Sequence, residues 1–140
     1  MLDPTPRVVG IDCGTKRVGI AVADPLQLFA RVEGTYAPDE ALAVLERLKV
    51  TDGLEALVIG WPLTLAGEEG AATDVVAAYI ARIRERLPAV PIHKRDERFT
   101  SELAKQALQE AGVRQPGRRD KGRVDAAAAA IILQDYLDAG

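Results

Sequence analysis

Residues 8–23 read VVGIDCGTKRVGIAVA, and this stretch decides the fold. Two runs rich in β-branched residues, Val8–Cys13 and Arg17–Ala23, flank a short turn that contains Gly14. Extended runs separated by a glycine-containing turn are typical of a β-hairpin. We therefore expect two antiparallel strands, with Asp12 in the middle of the first and most buried one.

The remaining elements follow from hydrophobic periodicity and from helix start and stop signals. After the hairpin the pattern predicts a third strand, a helix opening at Pro38, a fourth strand, a helix, a fifth strand and two further helices. Their expected bounds are Leu28–Tyr36, Pro38 to beyond Leu48, Leu54–Trp61, Ala71–Leu87, Val90–His93, Thr100 or Ser101 to about Gly112, and Arg123–Leu137. An antiparallel three-strand meander followed by alternating strands and helices predicts an α/β fold, a mixed sheet whose later strands are parallel and which is flanked by helices.

Composition describes one ordinary soluble domain spanning residues 1–140. The net charge is −3, and 48% of the 140 residues are hydrophobic. No run is long enough to cross a membrane and no signal peptide is evident, so we expect a cytoplasmic protein. One Cys and one His exclude an internal disulfide and a zinc finger. Any metal must be held by carboxylates.

Acidic residues at three places in the chain are candidates for such a site. Asp12 lies in a predicted buried strand, where a carboxylate needs a partner or a cation. Asp96 and Glu97 follow the fifth strand, at the sheet edge where ligands collect in α/β folds. Asp125 opens the last helix. Taken singly, each has a simpler explanation: an Asx-turn for Asp12, a solvated loop for the pair, and a helix-dipole contact for Asp125. Together they predict a carboxylate site for Mg²⁺ or Mn²⁺.

Basic residues are concentrated beside the third acid. The segment from Arg114 to Arg123 holds five basic residues and one acid, a local charge of +4, which leaves −7 for the rest of the chain. Such a segment suits phosphate contacts with a nucleic acid, although a solvated loop is the alternative. Lys16 and Arg17, in the first turn, could add phosphate contacts.

Cys13, Trp61 and His93 each have a structural explanation. Strand alternation places Cys13 on the opposite face from Asp12, which favours a core residue over a redox role. Trp61 could stack on a base, but packing is the commoner role of a lone aromatic at a strand end. We interpret His93 as structural.

Four motifs, in order and spacing, resemble the YqgF family of small bacterial RNase H-like nucleases, also called RuvX or Holliday junction resolvases. They read GIDCGTKRVG at 10–19, VIGWPL at 58–63, DERFT at 96–100 and KGRVDAAA at 121–128. The resemblance runs from Arg7 to Leu137. It implies an RNase H-like fold, a divalent-metal-dependent nuclease, and Asp12, Glu97 and Asp125 as the metal-binding and catalytic acids.

The same resemblance makes the nearby basic residues candidate substrate contacts: Lys16, Arg17, Arg98, Arg118, Arg119, Lys121 and Arg123. The family loop usually reads Gly-Leu-Pro-Leu-Asn-Met-Asp-Gly, whereas residues 60–67 read GWPLTLAG, so polar substrate contacts of that loop do not carry over. Two substrates are associated with the family: the 5′ end of precursor 16S rRNA, which we place first, and the four-way DNA junction.

Two other functions are compatible with parts of the sequence. DCGTK at 12–16 also resembles the phosphate loop of actin-like ATPases and sugar kinases, but those enzymes close nucleotide between two domains, and 140 residues provide one. A non-catalytic nucleic-acid-binding module is disfavoured because all three acids are present. Charged helix faces, for example Arg82, Arg84, Glu85 and Arg86, predict a monomer or a weak homodimer.

Overall fold

The computed structural model describes residues 5–97 and 121–139, and within the last helix it describes side chains from residue 126 onward. Five strands and three helices lie in these ranges. They are β1 (Arg7–Cys13), β2 (Val18–Ala23), β3 (Ala30–Tyr36), α1 (Pro38–Thr51), β4 (Leu54–Trp61), α2 (Ala71–Arg86), β5 (Ile92–Asp96) and α3 (Lys121–Ala139).

The strands form one mixed sheet in the order β3-β2-β1-β4-β5. β1 pairs antiparallel with β2, and β2 pairs antiparallel with β3. On its other side β1 pairs parallel with β4, and β4 pairs parallel with β5. The predicted α/β mixed sheet, with a meander followed by parallel strands, is confirmed.

Helices cover both faces of this sheet. On one face, alternate residues of the central strands, such as Ile11 and Ile59, pack with Leu45 of α1 and Ile83 of α2. On the other face, Val8 and Val58 pack with small and aliphatic residues of α3, including Ala129, Ile132 and Leu133. Because side chains alternate along each strand, Asp12 shares the α3 face with Val8, and Cys13 shares the α1 and α2 face with Ile11.

A glycine in β1 sets how closely α3 approaches. A Cβ built at Gly10 would lie 2.7 Å from the backbone oxygen of Ala129 and 2.7 Å from Cβ of Leu133. These neighbours belong to a helix backbone and its first side-chain carbon, so they cannot move aside cheaply. The chain of α3 therefore crosses β1 in direct contact with its backbone.

Two strands differ from their predicted bounds by more than one residue. β5 occupies Ile92–Asp96 rather than Val90–His93, because its parallel register with β4 continues to the pair Trp61 and Asp96. It is an edge strand of the described sheet, so its side chains are partly exposed and can be charged. These charged residues made the segment resemble a loop in the sequence. β3 begins at Ala30 rather than Leu28, because the preceding residues form a turn that Asp24 organises.

The helix predicted from Thr100 or Ser101 to Gly112, and the basic segment up to residue 120, lie outside the described residues. In the described part of the chain, no helix has both the length and the apolar character needed to cross a membrane.

Candidate active site

Two of the candidate acids, Asp12 and Glu97, lie together at the edge of the sheet where β1, β4 and β5 end. Asp12 is the next-to-last residue of β1 and pairs across the antiparallel ladder with Gly19 of β2. The expectation of a mid-strand, fully buried position was wrong: Asp12 is half-buried, since β1 ends one residue later. Its position therefore lies at the end of the sheet and not in its interior.

Glu97 reaches Asp12 by crossing the strand between them. β4 lies between β1 and β5, and its residue at this level is Gly60. A Cβ built at Gly60 would lie 2.2 Å from Oε2 and 2.6 Å from Cδ of Glu97, so the carboxyl group occupies the space that any larger residue would fill. The backbone N–H of Glu97 donates to the carbonyl oxygen of Trp61 at 3.2 Å, which fixes the start of this crossing.

The two carboxyl groups interact strongly. Burial, the negative charge of Asp12 and a hydrogen bond to Asp12 raise the pKa of Glu97 to about 9, and Asp96 adds a smaller repulsion. Two acids this close cannot both be ionised without a compensating positive charge. A proton shared by the pair, or a bound cation, would offset this repulsion.

Cys13 lies on the other side of the sheet. Burial raises the pKa of its thiol to about 12, and the charges of Asp12 and Glu97 act in the same direction. The side chain packs against the core formed by α1, α2 and the central strands. The predicted core role is confirmed, and at neutral pH the thiol is protonated and a poor nucleophile.

The third acid lies on α3. Residue 125 is in the first turns of this helix, four residues before Ala129, whose carbonyl faces Gly10. The side chain of Asp125 lies outside the described part of the structure. Among the side chains that are described, no three Asp, Glu, His or Cys residues cluster as a complete metal-ligand set. The structure thus brings together Asp12 and Glu97 of the three predicted acids.

The predicted substrate contacts are divided in the same way. Lys16 is exposed and Arg17 half-buried in the tight turn after β1, which the Gly14 N–H closes on the Arg17 carbonyl at 2.9 Å. Lys121 and Arg123 are described only as backbone of α3. Arg98, Arg118 and Arg119 lie outside the described residues.

Sequence reasoning assigned no role to Gly60 or to Lys94. Gly60 carried a usable signal, because a glycine inside a strand pattern often marks a close approach by another group. Lys94 places its ammonium 3.9 Å from the ring centroid of Trp61 and carried no comparable signal. His93 stacks on Tyr136 of α3 at a centroid distance of 5.6 Å, so its structural interpretation is confirmed.

A mixed five-strand sheet with helices on both faces and a carboxylate pair where β1 and β5 end is the arrangement of an RNase H-like nuclease. Similarity to solved structures supports the fold. One is Thermus thermophilus RuvC in complex with a Holliday junction substrate, with a TM-score of 0.53, 16% identity, and coverage of 96% of this chain and 94% of that one. Another is Fowlpox virus resolvase with Holliday junction DNA, with a TM-score of 0.56, 10% identity, and coverage of 95% and 97%.

Sequence comparison identifies the family. A family model described as "RuvX: Holliday junction resolvase" matches residues 6–139. A relative from Salinibacter ruber, named "Putative pre-16S rRNA nuclease", is 63% identical over 137 residues, covering 98% of this chain and 96% of its own. A relative of the same name from Chlorobaculum tepidum is 42% identical over 132 residues, covering 94% and 93%. The chain belongs to the RuvX family, also called the YqgF family, and is a hydrolytic nuclease.

Proposed function

We propose that this protein hydrolyses phosphodiester bonds with a divalent metal ion held by Asp12, Glu97 and Asp125. The observation that carries the proposal is the Glu97 carboxyl group, which crosses Gly60 and hydrogen-bonds to Asp12. A solvated run of charged residues would not bring two half-buried acids into contact at the end of the sheet.

The donor set fits Mg²⁺ or Mn²⁺. Both ions prefer carboxylate oxygens and keep several waters, and a partly open edge of the sheet accommodates those waters. Cys13, the nearest soft donor in the sequence, lies on the opposite face. Residue 125 lies about one helical turn before Ala129, whose carbonyl faces β1. We therefore assign Asp125 as the third ligand.

In this proposal the acidic residues bind the metal ion and the basic residues bind the substrate. Asp12 at the end of β1 and Glu97 just after β5 would hold the ion from either side of β4, and Asp125 of α3 would complete the set. When bound, such an ion supplies an activated water and a positive charge that polarises the phosphodiester. Lys16 and Arg17 would contact phosphate oxygens beside the acids and orient the backbone of the substrate. Arg98, Arg118, Arg119, Lys121 and Arg123 would extend that contact.

We place precursor 16S rRNA first as the substrate, and with it a cytoplasmic location. The names of both relatives given above support this order. The four-way DNA junction is the second candidate, which the family description favours. Neither needs base-specific readout, because phosphate and shape contacts position both.

A side-by-side cleavage assay tests the proposal. The protein is offered a precursor rRNA fragment, a four-way DNA junction and a linear duplex, each with Mg²⁺, Mn²⁺ or a chelator. We expect metal-dependent cleavage, fastest on the rRNA fragment, and loss of cleavage in Asp12→Asn and Glu97→Gln. Asp39→Asn, at an exposed acid of α1 paired with Arg82, is the matched control and should cleave normally. Equal cleavage by Asp12→Asn would refute the proposal.

A further inference from the structure

Trp61 ends β4, where its indole contacts both the core and a cation. The side chain is half-buried and packs against the α1 and α2 core. Above the ring, the Lys94 ammonium sits 3.9 Å from the centroid. Lys94 itself is exposed, so among residues 5–97 a solvated side chain covers this aromatic face.

In sequence, Trp61 directly follows the glycine over which the acid pair lies. Trp61 follows Gly60, over which the Glu97 carboxyl lies, and its carbonyl accepts the Glu97 N–H at 3.2 Å. Alternation along β4 puts the indole on the opposite face of the sheet from that carboxyl. A polynucleotide crossing the end of the sheet at the acids would therefore meet the indole on the far side of the same edge.

Resting on the proposed nuclease function, we propose that Trp61 stacks an unpaired nucleobase next to the cleaved phosphate, with Lys94 turning from the ring to that nucleotide's phosphate. Stacking of a base on an aromatic ring is a stronger contact than an exposed ammonium over the same ring. Lys94 loses little by moving, because a phosphate offers it a full opposite charge.

The proposal specifies a substrate class. An aromatic platform takes any base that is free to leave its neighbours, but a base inside a duplex is already stacked and paired. The site therefore favours single-stranded nucleic acid, or an unpaired end, over fully paired DNA arms. Such a preference agrees with trimming an RNA end and gives no advantage on a fully paired junction.

The experiment uses the fact that Trp61 is the only tryptophan in the chain. Asp12→Asn protein, which should leave the probe intact, is titrated with an end-labelled oligouridine of about 12 nucleotides. The same titration is run with a length-matched abasic oligomer and with a blunt duplex. Label anisotropy reports binding, and indole emission, excited where tyrosine does not absorb, reports stacking.

We expect oligouridine to quench the indole emission with the same midpoint as the anisotropy change, and the abasic oligomer and the duplex to bind without quenching. A second substitution, Trp61→Leu, should weaken oligouridine binding about tenfold, and Trp61→Phe should restore most of it. Binding of the duplex should not change in either variant.

Oligouridine that binds without changing the indole emission, or an abasic oligomer that quenches equally, would overturn the stacking site and leave the nuclease proposal standing. Absence of binding by every probe would overturn both. Since the quenching is read on the native tryptophan, poor folding of Trp61→Leu does not remove the test.

Discussion

Gly60 is the single residue on which the geometry of the acid pair depends most. In Gly60→Ala the new Cβ would meet the Glu97 carboxyl and the terminal carbon of Ile132, both of which are flexible ends. We expect the fold to survive and the carboxyl to move, with cleavage falling on the order of 10²-fold, as for other small displacements of catalytic groups. Cleavage rates and a thermal melt of the purified variant measure the two effects separately.

Gly10→Ala is the matched control for that substitution. Its Cβ would meet the backbone oxygen of Ala129 and Cβ of Leu133, at a site that does not touch Glu97. Overpacking against helix backbone should cost about 1–3 kcal/mol of unfolding free energy, with cleavage per folded molecule retained. Equal cleavage by Gly60→Ala and the parent protein would contradict the role given to this glycine.

Asp24 predicts a pH-dependent stability. Its carboxylate accepts N–H groups from Leu26, Leu28 and Phe29 at 3.2, 2.8 and 2.6 Å, and these bonds hold its pKa below the ordinary 3.8. A carboxyl with a depressed folded-state pKa stabilises the fold above its unfolded pKa, and that stability is lost as the pH falls through the folded value. Asp24→Asn should therefore lower the melting temperature at pH 7 but not near pH 2. An equal difference at both pH values would contradict this account.

We expect the contact between α1 and α2 to depend more on a partly buried hydrogen bond than on its exposed ion pairs. The hydroxyl of Tyr79, on α2, donates to the Pro38 carbonyl at the start of α1 at 2.9 Å, and burial raises the pKa of the phenol. Tyr79→Phe should cost about 1 kcal/mol of unfolding free energy in urea denaturation. Arg86→Ala, which removes an exposed ion pair with Glu46, should cost clearly less. The reverse order would show that the ion pairs hold these helices.

An element could be predicted from the sequence when the residues that determine it are consecutive, and not when it depends on pairing with a distant strand. The β1–β2 hairpin and β4 were predicted well because β-branched runs and turn glycines are written in consecutive residues. β5 was placed too early because Lys94, Arg95 and Asp96 resemble a loop, and only pairing with β4 makes them a strand. The crossing of Glu97 over Gly60 could not be predicted, since it depends on the order of three strands distant in sequence.

The whole sheet is built in a way that opposes pairing with a second copy. Its edge strands in the described structure are β3 and β5. A bulge at Glu33 interrupts the register between β3 and β2, and Arg31 of β3 is exposed. In β5, His93 and Lys94 are exposed. Bulges and charges on edge strands disfavour edge-to-edge association.

We therefore expect sedimentation at micromolar concentration to show a single species near 15.0 kDa without nucleic acid, and no protein dimer on a four-way junction. A monomer with one active site suits the trimming of an RNA end, whereas symmetric resolution of a junction needs two. A stable dimer that nicks both strands symmetrically would instead make the junction the first substrate.

Metal binding in the absence of nucleic acid tests the central claim most directly, because it isolates the acid pair from substrate contacts. Free Mn²⁺ has a paramagnetic resonance signal that is lost when the ion binds protein, so titration of Mn²⁺ against the parent protein gives the number of sites and their affinity. We predict saturable binding that Asp12→Asn and Glu97→Gln each weaken at least tenfold and that Asp39→Asn leaves unchanged. Equal Mn²⁺ binding by all four proteins, with each shown to be folded, would contradict the claim that Asp12 and Glu97 hold the metal ion.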